Sequence, residues 1–351
     1  MRKTLALALA LMIVAGAALL GTAAEPSGKL SVLIIIQEGE GKAVIEGFKK
    51  LYPKIAVDSL RLSASEGTAR IKAEKLDPTF DVILGGPSDN FEILKKEKAL
   101  LKYVPANASE IPADYQDSEG YWYGLYVGPL AIAINTKRYA EKGYKEKLGK
   151  DWSQITLDDL TRVFAASGVK DVTVANPKSS GTAKMFISGL WQYYNSIGLD
   201  GKAKTKEWYK ALHPNVGNYQ TSGTGPVKSV SQGEFTFCIT PMHDVYLYKL
   251  DNPAIGVVEF KEAGWEIGAV GAIDKSPNPV NAKLFMDYLT SSAAGNVLSS
   301  YSQKIPCNVN SDGPTVGKPL SKTVYFKKYN YEFTTVHDAE IKELFGEITG
   351  L

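Results

Sequence analysis

Leu30-Ser-Val-Leu-Ile-Ile-Ile36 is an apolar run interrupted only by Ser31, and it predicts a strand buried on both faces of a parallel sheet. Downstream, residues 42–50 place Val44, Ile45, Phe48, Leu51 and Tyr52 on one helical face, and Pro53 stops the run. A second strand is expected over 55–62, a helix over 65–76 and a third strand over 80–84, broken by Gly85-Gly86-Pro87. Ser88-Asp89 reads as the cap of a helix carrying Phe91, Ile93 and Leu94. This β-α-β-α-β-α order predicts a doubly wound α/β lobe, in which ligands bind beyond the carboxyl ends of the strands. Three such ends carry small or polar residues: 37–41 with Gln37, 63–65 with Ser65, and 85–88 with Gly86 and Ser88.

Further along, Glu119-Gly-Tyr-Trp-Tyr-Gly-Leu125 leads into a second buried strand, Leu130-Ala-Ile-Ala-Ile-Asn135, and reads as a crossing to another lobe. Its aromatic residues suit a cleft wall and a core equally. The second lobe opens with a helix expected over 152–167, where Thr156-Leu-Asp-Asp159 has capping-box spacing. A strand over 171–175 then runs into Asn176-Pro-Lys-Ser-Ser-Gly-Thr-Ala-Lys184 and an amphipathic helix through Met185, Phe186, Leu190, Trp191 and Tyr194. At that helix start the first N–H groups lack intrahelical partners, Ser179, Ser180 and Thr182 add hydroxyls, and Gly181 admits close approach, so the junction suits an oxyanion. A plain N-cap would use the same residue types. A second polar helix start, containing Thr221 and Ser222, lies over 218–226, before a helix expected over 227–232. The strand over 235–240 ends in Pro241-Met-His-Asp244, segments 256–260 and 265–273 read as the return crossing, and 281–289 reads as a helix.

The N-terminus is tripartite: basic Met1-Arg-Lys3, an apolar segment over 5–20 and small residues through Ala24, which predicts a secretory signal cleaved after Ala24. No cysteine near that point offers a lipid attachment site, and no later run is apolar enough to span a bilayer. What remains of the 351 residues exceeds one typical core and predicts two lobes. The formal charge of +2 includes Arg2 and Lys3, so the exported chain is near neutral and lacks the concentrated basic surface that nucleic-acid binding requires. Cys238 and Cys307 are the only cysteines. An export compartment permits a disulfide between them, and two buried thiols fit as well.

Several segments, in order, resemble the extracellular solute-binding proteins of ABC importers, in the branch that includes ferric-iron, thiamine, phosphonate and sugar-phosphate binders. The matching pieces are Val44-Ile-Glu-Gly-Phe-Lys-Lys-Leu-Tyr-Pro53, Ala69-Arg-Ile-Lys-Ala-Glu74, Asp81-Val-Ile-Leu-Gly-Gly86, Gly120-Tyr-Trp-Tyr-Gly124, Ala133-Ile-Asn-Thr136, Asn176-Pro-Lys-Ser-Ser-Gly-Thr182 and Gly233-Glu234. The resemblance implies a type II periplasmic binding protein fold, with two α/β lobes joined by crossing strands. It also implies a ligand held between the lobes, hinge closure presented to a membrane permease, and final helices that return to the second lobe. On this basis lobe 1 is expected over 25–127 with 262–320, and lobe 2 over 128–261 with 321–351. A monomer without cofactor is expected.

Ferric binders of this branch carry adjacent tyrosines just after the strand that corresponds to 235–240, whereas this chain has His243-Asp244. The preferred ligand is therefore a small anion such as a sugar phosphate or phosphonate. Its phosphate would lie on Ser179, Ser180, Gly181, Thr182, Thr221 and Ser222, faced by Gln37, Ser65, Gly86 and Ser88, while His243, Asp244 and Glu266 read the organic part. The alternative is ferric iron held by His243, Asp244 and the displaced Tyr246. An exported hydrolase is the rival class, but the chain has no Gly-x-Ser-x-Gly, His-Glu-x-x-His or Cys-x-x-Cys motif. On extended backbone, the adjacent His243 and Asp244 would diverge rather than form a base and its orienter.

Overall fold

The computed structural model describes residues 25–318 and 320–351, so the signal segment expected at 1–24 lies outside the described residues. In chain order the first half contains β1 (Gly28–Ile34), α1 (Glu38–Leu51), β2 (Ile55–Arg61), α2 (Ala64–Glu74), β3 (Val82–Pro87), α3 (Ser88–Lys96), β4 (Tyr123–Asn135), α4 (Thr136–Glu141), α5 (Tyr144–Leu148), α6 (Val163–Ser167) and β5 (Val172–Ala175). Then come α7 (Gly181–Ser196), α8 (Gly201–Leu212), β6 (Val216–Gln220), α9 (Gly225–Ser231), β7 (Phe237–Pro241), α10 (Met242–Asp251), β8 (Ile255–Val258) and β9 (Trp265–Ala272). The tail adds α11 (Pro279–Leu289), α12 (Ser292–Ser302), β10 (Ile305–Pro306), α13 (Tyr331–Val336) and α14 (Asp338–Thr349).

The apolar run forms β1, whose Leu30, Val32, Leu33 and Ile34 are buried; the strand pairs in parallel with β2 on one side and β3 on the other. Helix α1 starts ahead of the expected residue 42, with Glu38 and Glu40 in the first turn, where the helix dipole favours acids. Its Phe48 packs edge-on against Phe285 of α11 at 4.9 Å between ring centres. β3 runs on through Gly85 and Gly86 instead of breaking there. Both have positive φ, and a Cβ on Gly86 would stand 2.7 Å from Ile35, so glycine is what lets the strand pass so close to the end of β1.

All thirteen residues of β4 are buried, and the strand changes partners along its length. Tyr123 to Pro129 pair antiparallel with β9, and Leu130 to Asn135 pair with β7 and β8. The sheet order is β2-β1-β3-β9-β4-β7-β5-β6, with parallel strands at both ends and antiparallel crossing strands in the middle. The molecule is thus two α/β lobes joined by crossing strands.

Three local expectations change. The stretch over 152–167 is not one helix but two 3-10 turns, Trp152–Gln154 and Leu157–Arg162, followed by the short α6. The Thr156 capping box does form, but its Asp159 is buried and also binds Lys150 at 2.6 Å and Arg162, which fixes a tight turn. Residues 216–220, which overlap the polar helix start read over 218–226, extend the sheet as β6 beside β5. His243 and Asp244, expected on a strand end, stand in the first turn of α10.

Cys238 and Cys307 are both free and buried, with burial pushing each thiol up. Of the last helices, α14 packs on α7 and α8 as expected. The preceding α13 instead spans the lobes, touching α3 as well as α7, with Thr334 bonded to Ser188 at 2.6 Å. Among the described residues no helix is long and apolar enough to cross a membrane.

Candidate functional site

The carboxyl ends of the strands of both lobes face one another across a cavity of about 400 Å³. The two sides also touch. The Gln37 amide donates to Asp244 Oδ1 at 3.3 Å and to Thr224 Oγ1 at 3.4 Å, and a Cβ on Gly181 would stand 2.9 Å from Pro87. The cavity is therefore enclosed by contacts from lobe to lobe.

One end is built from backbone turns and hydroxyls. Ser179, Ser180, Gly181 and Thr182 line it at the start of α7, with Thr221, Ser222, Gly223 and Thr224 beside them. The two turns are in close contact, since a Cβ on Gly223 would fall 2.1 Å from Thr182 Oγ1. Ser180 is the N-cap of α7, yet its hydroxyl makes no cap bond and, though buried, has no partner. Ser179 donates to Asn176 O at 3.3 Å, and Ser222 accepts from Gly225 N at 3.1 Å. From the other lobe, Arg61 at the end of β2 also lines the cavity, together with Ser63, which caps α2 in a capping box with Glu66. Glu66 is held below the usual carboxylate range by its bonds to Ser63, and Arg61 adds to this.

The adjoining part of the cavity, reached through Thr224, is acidic and buried. Lys304, in the turn between α12 and β10, donates to both Glu40 oxygens at 2.8 and 3.0 Å, and its ammonium lies 4.7 Å from the Tyr126 ring centre. Asp244 accepts from Thr224 Oγ1 at 2.8 Å. His243 Nε2 lies 3.8 Å from Asp244 Oδ1 and 3.9 Å from Glu266 Oε1. Burial pushes Asp244 up to about 6 and Glu266 up to about 7, with Lys304 opposing and neighbouring carboxylates assisting. Burial, reinforced by Lys304, holds His243 well below its usual value, so the ring is neutral. Its Nδ1 is unpartnered and faces Gly128, where a Cβ would stand 2.6 Å away. That crossing strand therefore requires glycine to seat the imidazole.

Of the residues singled out from sequence, Gln37, Gly86, Ser179, Ser180, Gly181, Thr182, Thr221, Ser222, His243, Asp244 and Glu266 line this cavity. Ser65 and Ser88 do not. Helix α2 is capped one step earlier, so Ser63 takes the place expected for Ser65, and Ser88 is tucked under α3 with its hydroxyl buried. Tyr246 is also outside the cavity, and its phenol lies near Glu259 and Lys318. Among the described residues no group of three or more His, Cys, Asp or Glu could hold a metal ion, and of the set His243, Asp244 and Tyr246 only the first two line the cavity. Sequence reading missed Arg61, which ends a strand and was legible by the strand-end rule. It also missed Tyr126 and Lys304. A tyrosine inside a buried strand reads as core, and Lys304 lies in a tail without pattern.

A family profile described as bacterial extracellular solute-binding protein matches residues 77–335. The chain belongs to that family. This solute-binding protein is 27% identical over 330 residues to an uncharacterized protein of Haemophilus influenzae, covering 92% of this chain and 89% of that one. It is similar in structure to the periplasmic binding protein AfuA from Actinobacillus pleuropneumoniae, solved with fructose-6-phosphate bound, with a TM-score of 0.82, 24% identity, and coverage of 93% of this chain and 100% of that one. Iron-bound HitA from Pseudomonas aeruginosa gives a TM-score of 0.77 at 17% identity, covering 93% and 100% of the two chains. At these identities the structural likenesses speak to the fold, which is that of type II periplasmic binding proteins.

Proposed function

We propose that this solute-binding protein captures a small phosphorylated organic molecule, such as a sugar phosphate or phosphonate, in the interlobe cavity and delivers it to the permease of an ABC importer. The observation that carries this reading is Ser180: a buried hydroxyl with no partner, at the start of a sixteen-residue helix, lining a cavity that Arg61 enters from the other lobe. A buried polar group without a partner costs stability unless a ligand satisfies it, and a helix start beside an arginine suits a phosphate. Fructose-6-phosphate, bound in the AfuA structure, fits this chemistry. Ferric iron gains less support from the side chains present, since Tyr246, the tyrosine nearest His243 and Asp244 in the chain, does not line the cavity.

Calorimetry with a panel of sugar phosphates, phosphonates, inorganic phosphate and ferric citrate tests the reading. Changing Ser180 and Thr182 together to Ala removes two charge-assisted bonds and is expected to weaken the best phosphate ligand about tenfold or more. Tight ferric binding with a tyrosinate colour, and no heat from any phosphate or phosphonate, would overturn it.

A further inference from the structure

Building on the organophosphate reading, we infer that the solute is a zwitterion, with an ammonium group held between Asp244 and Glu266 in the same cavity as its phosphate. The inference begins with the fixed charges. Glu40 and Lys304 satisfy one another within hydrogen-bond distance, which leaves Asp244 and Glu266 as two buried carboxylates with no cation of their own. His243 Nε2 is within 4 Å of both, so they face the same space. The imidazole cannot supply the missing charge because burial and Lys304 keep it neutral.

Existing hydrogen bonds do not remove the imbalance. Asp244 receives Gln37 and Thr224, both neutral, and the phenol beside Glu266 is the neutral Tyr126. A sugar hydroxyl would add one more neutral donor. An ammonium adds three donors and the compensating charge, which is what buried carboxylates need.

The pH dependence follows from the groups that face this pair. Empty, Glu266 and Asp244 hold protons up to about 7 and 6 respectively. An ammonium must displace those protons, so its affinity rises with pH through this window, whereas a neutral counterpart gains nothing from their ionisation. The other facing groups stay fixed. Burial raises the Tyr126, Tyr329 and Tyr331 phenols near Glu266, and the Tyr248 phenol and Cys238 thiol near Asp244. Although burial opposes it, the charge of Lys304 is kept by Glu40, Asp244 and Glu266.

Calorimetry on the full mature protein with two matched pairs decides the matter: glucosamine 6-phosphate against glucose 6-phosphate, and 2-aminoethyl phosphate against 2-hydroxyethyl phosphate. Within a pair the phosphate is common, so its own ionisation largely cancels in the ratio. In at least one pair the amine is expected to bind about tenfold tighter or more at pH 8, the size of one charge-assisted bond. The ratio should shrink toward pH 5.5, and Glu266→Gln should shrink it at pH 8. Should that variant fail to fold, the pH series on the unaltered protein still decides. Equal affinity or a hydroxyl preference in both pairs at pH 8 overturns the ammonium while leaving the phosphate reading intact. Silence from all four compounds, with tight binding of a phosphate-free solute, overturns both.

Discussion

Lys304 is the residue on which the acidic end of the cavity depends. It is nearly inaccessible to water, its ammonium bonds both oxygens of an equally buried Glu40, and it lies close enough to Asp244 and Glu266 to oppose the upward shift of both. Whether such a pair adds net stability is a separate matter, since desolvation can cancel the attraction. Removing one partner has a clearer outcome. Lys304→Met leaves Glu40 buried and uncompensated beside two more carboxylates, and should cost roughly 3–5 kcal/mol in guanidinium unfolding at pH 8. The loss should be smaller at pH 5, where the raised Asp244 and Glu266 are already protonated. A loss below about 1 kcal/mol at pH 8 would mean that water or a rearranged chain reaches Glu40.

At the scale of elements, each lobe is fastened by a buried aspartate at the entry to or beside a strand. Asp81, just before β3, accepts from Ser31 N at 2.7 Å and from Asn278 N at 2.8 Å, tying β1 to the start of α11. Asp171, just before β5, does more. It accepts from Arg138 Nη2 at 3.0 Å, Tyr144 OH at 2.9 Å, Thr236 N at 3.0 Å and Thr236 Oγ1 at 2.6 Å. Four separate elements, α4, α5, β5 and β7, thereby share one carboxylate. Asp171→Asn replaces an acceptor oxygen with a donor amide facing other donors, and a loss of roughly 3–5 kcal/mol is expected. Hydrogen exchange should show it as faster opening of β5 and β7 with β1 to β3 unchanged. Uniform acceleration across both lobes would show that they unfold as one unit.

For the whole molecule, two contacts close over the cavity: the Gln37 amide on Thr224 and Asp244, and Pro87 against Gly181. Both join the first-lobe strand ends to the helix starts of the second, whereas the crossing strands β4 and β9 are continuous and buried. Such a frame favours hinge motion about the crossings over sliding of packed faces. Small-angle scattering should give a smaller radius of gyration with saturating ligand than without, and Gln37→Ala should enlarge the ligand-free value while leaving the liganded one nearly unchanged. An identical radius in all states would argue against a hinge.

The apolar runs at Leu30 and Leu130 and the alternation with amphipathic helices determined the α/β class and the two crossings from sequence alone. Burial on both faces of a strand leaves a local signature that needs no knowledge of neighbours. The polar helix start at Ser179 to Thr182 was legible for the same reason, because capping chemistry is local. Only the tertiary structure decided which strand-end residues reach the cavity. A shift of one or two positions in a cap puts Ser63 rather than Ser65 on its wall, and the helical geometry that carries Asp244 into the cavity leaves Tyr246, two residues on, outside it. Arg61, Tyr126 and Lys304 come from three distant parts of the chain, and nothing in the residues beside them records that pairing. The pairing of Lys304 with Glu40, and the upward shift of Asp244 and Glu266, are properties of a low-dielectric enclosure, which exists only after both lobes have closed their sheets around it.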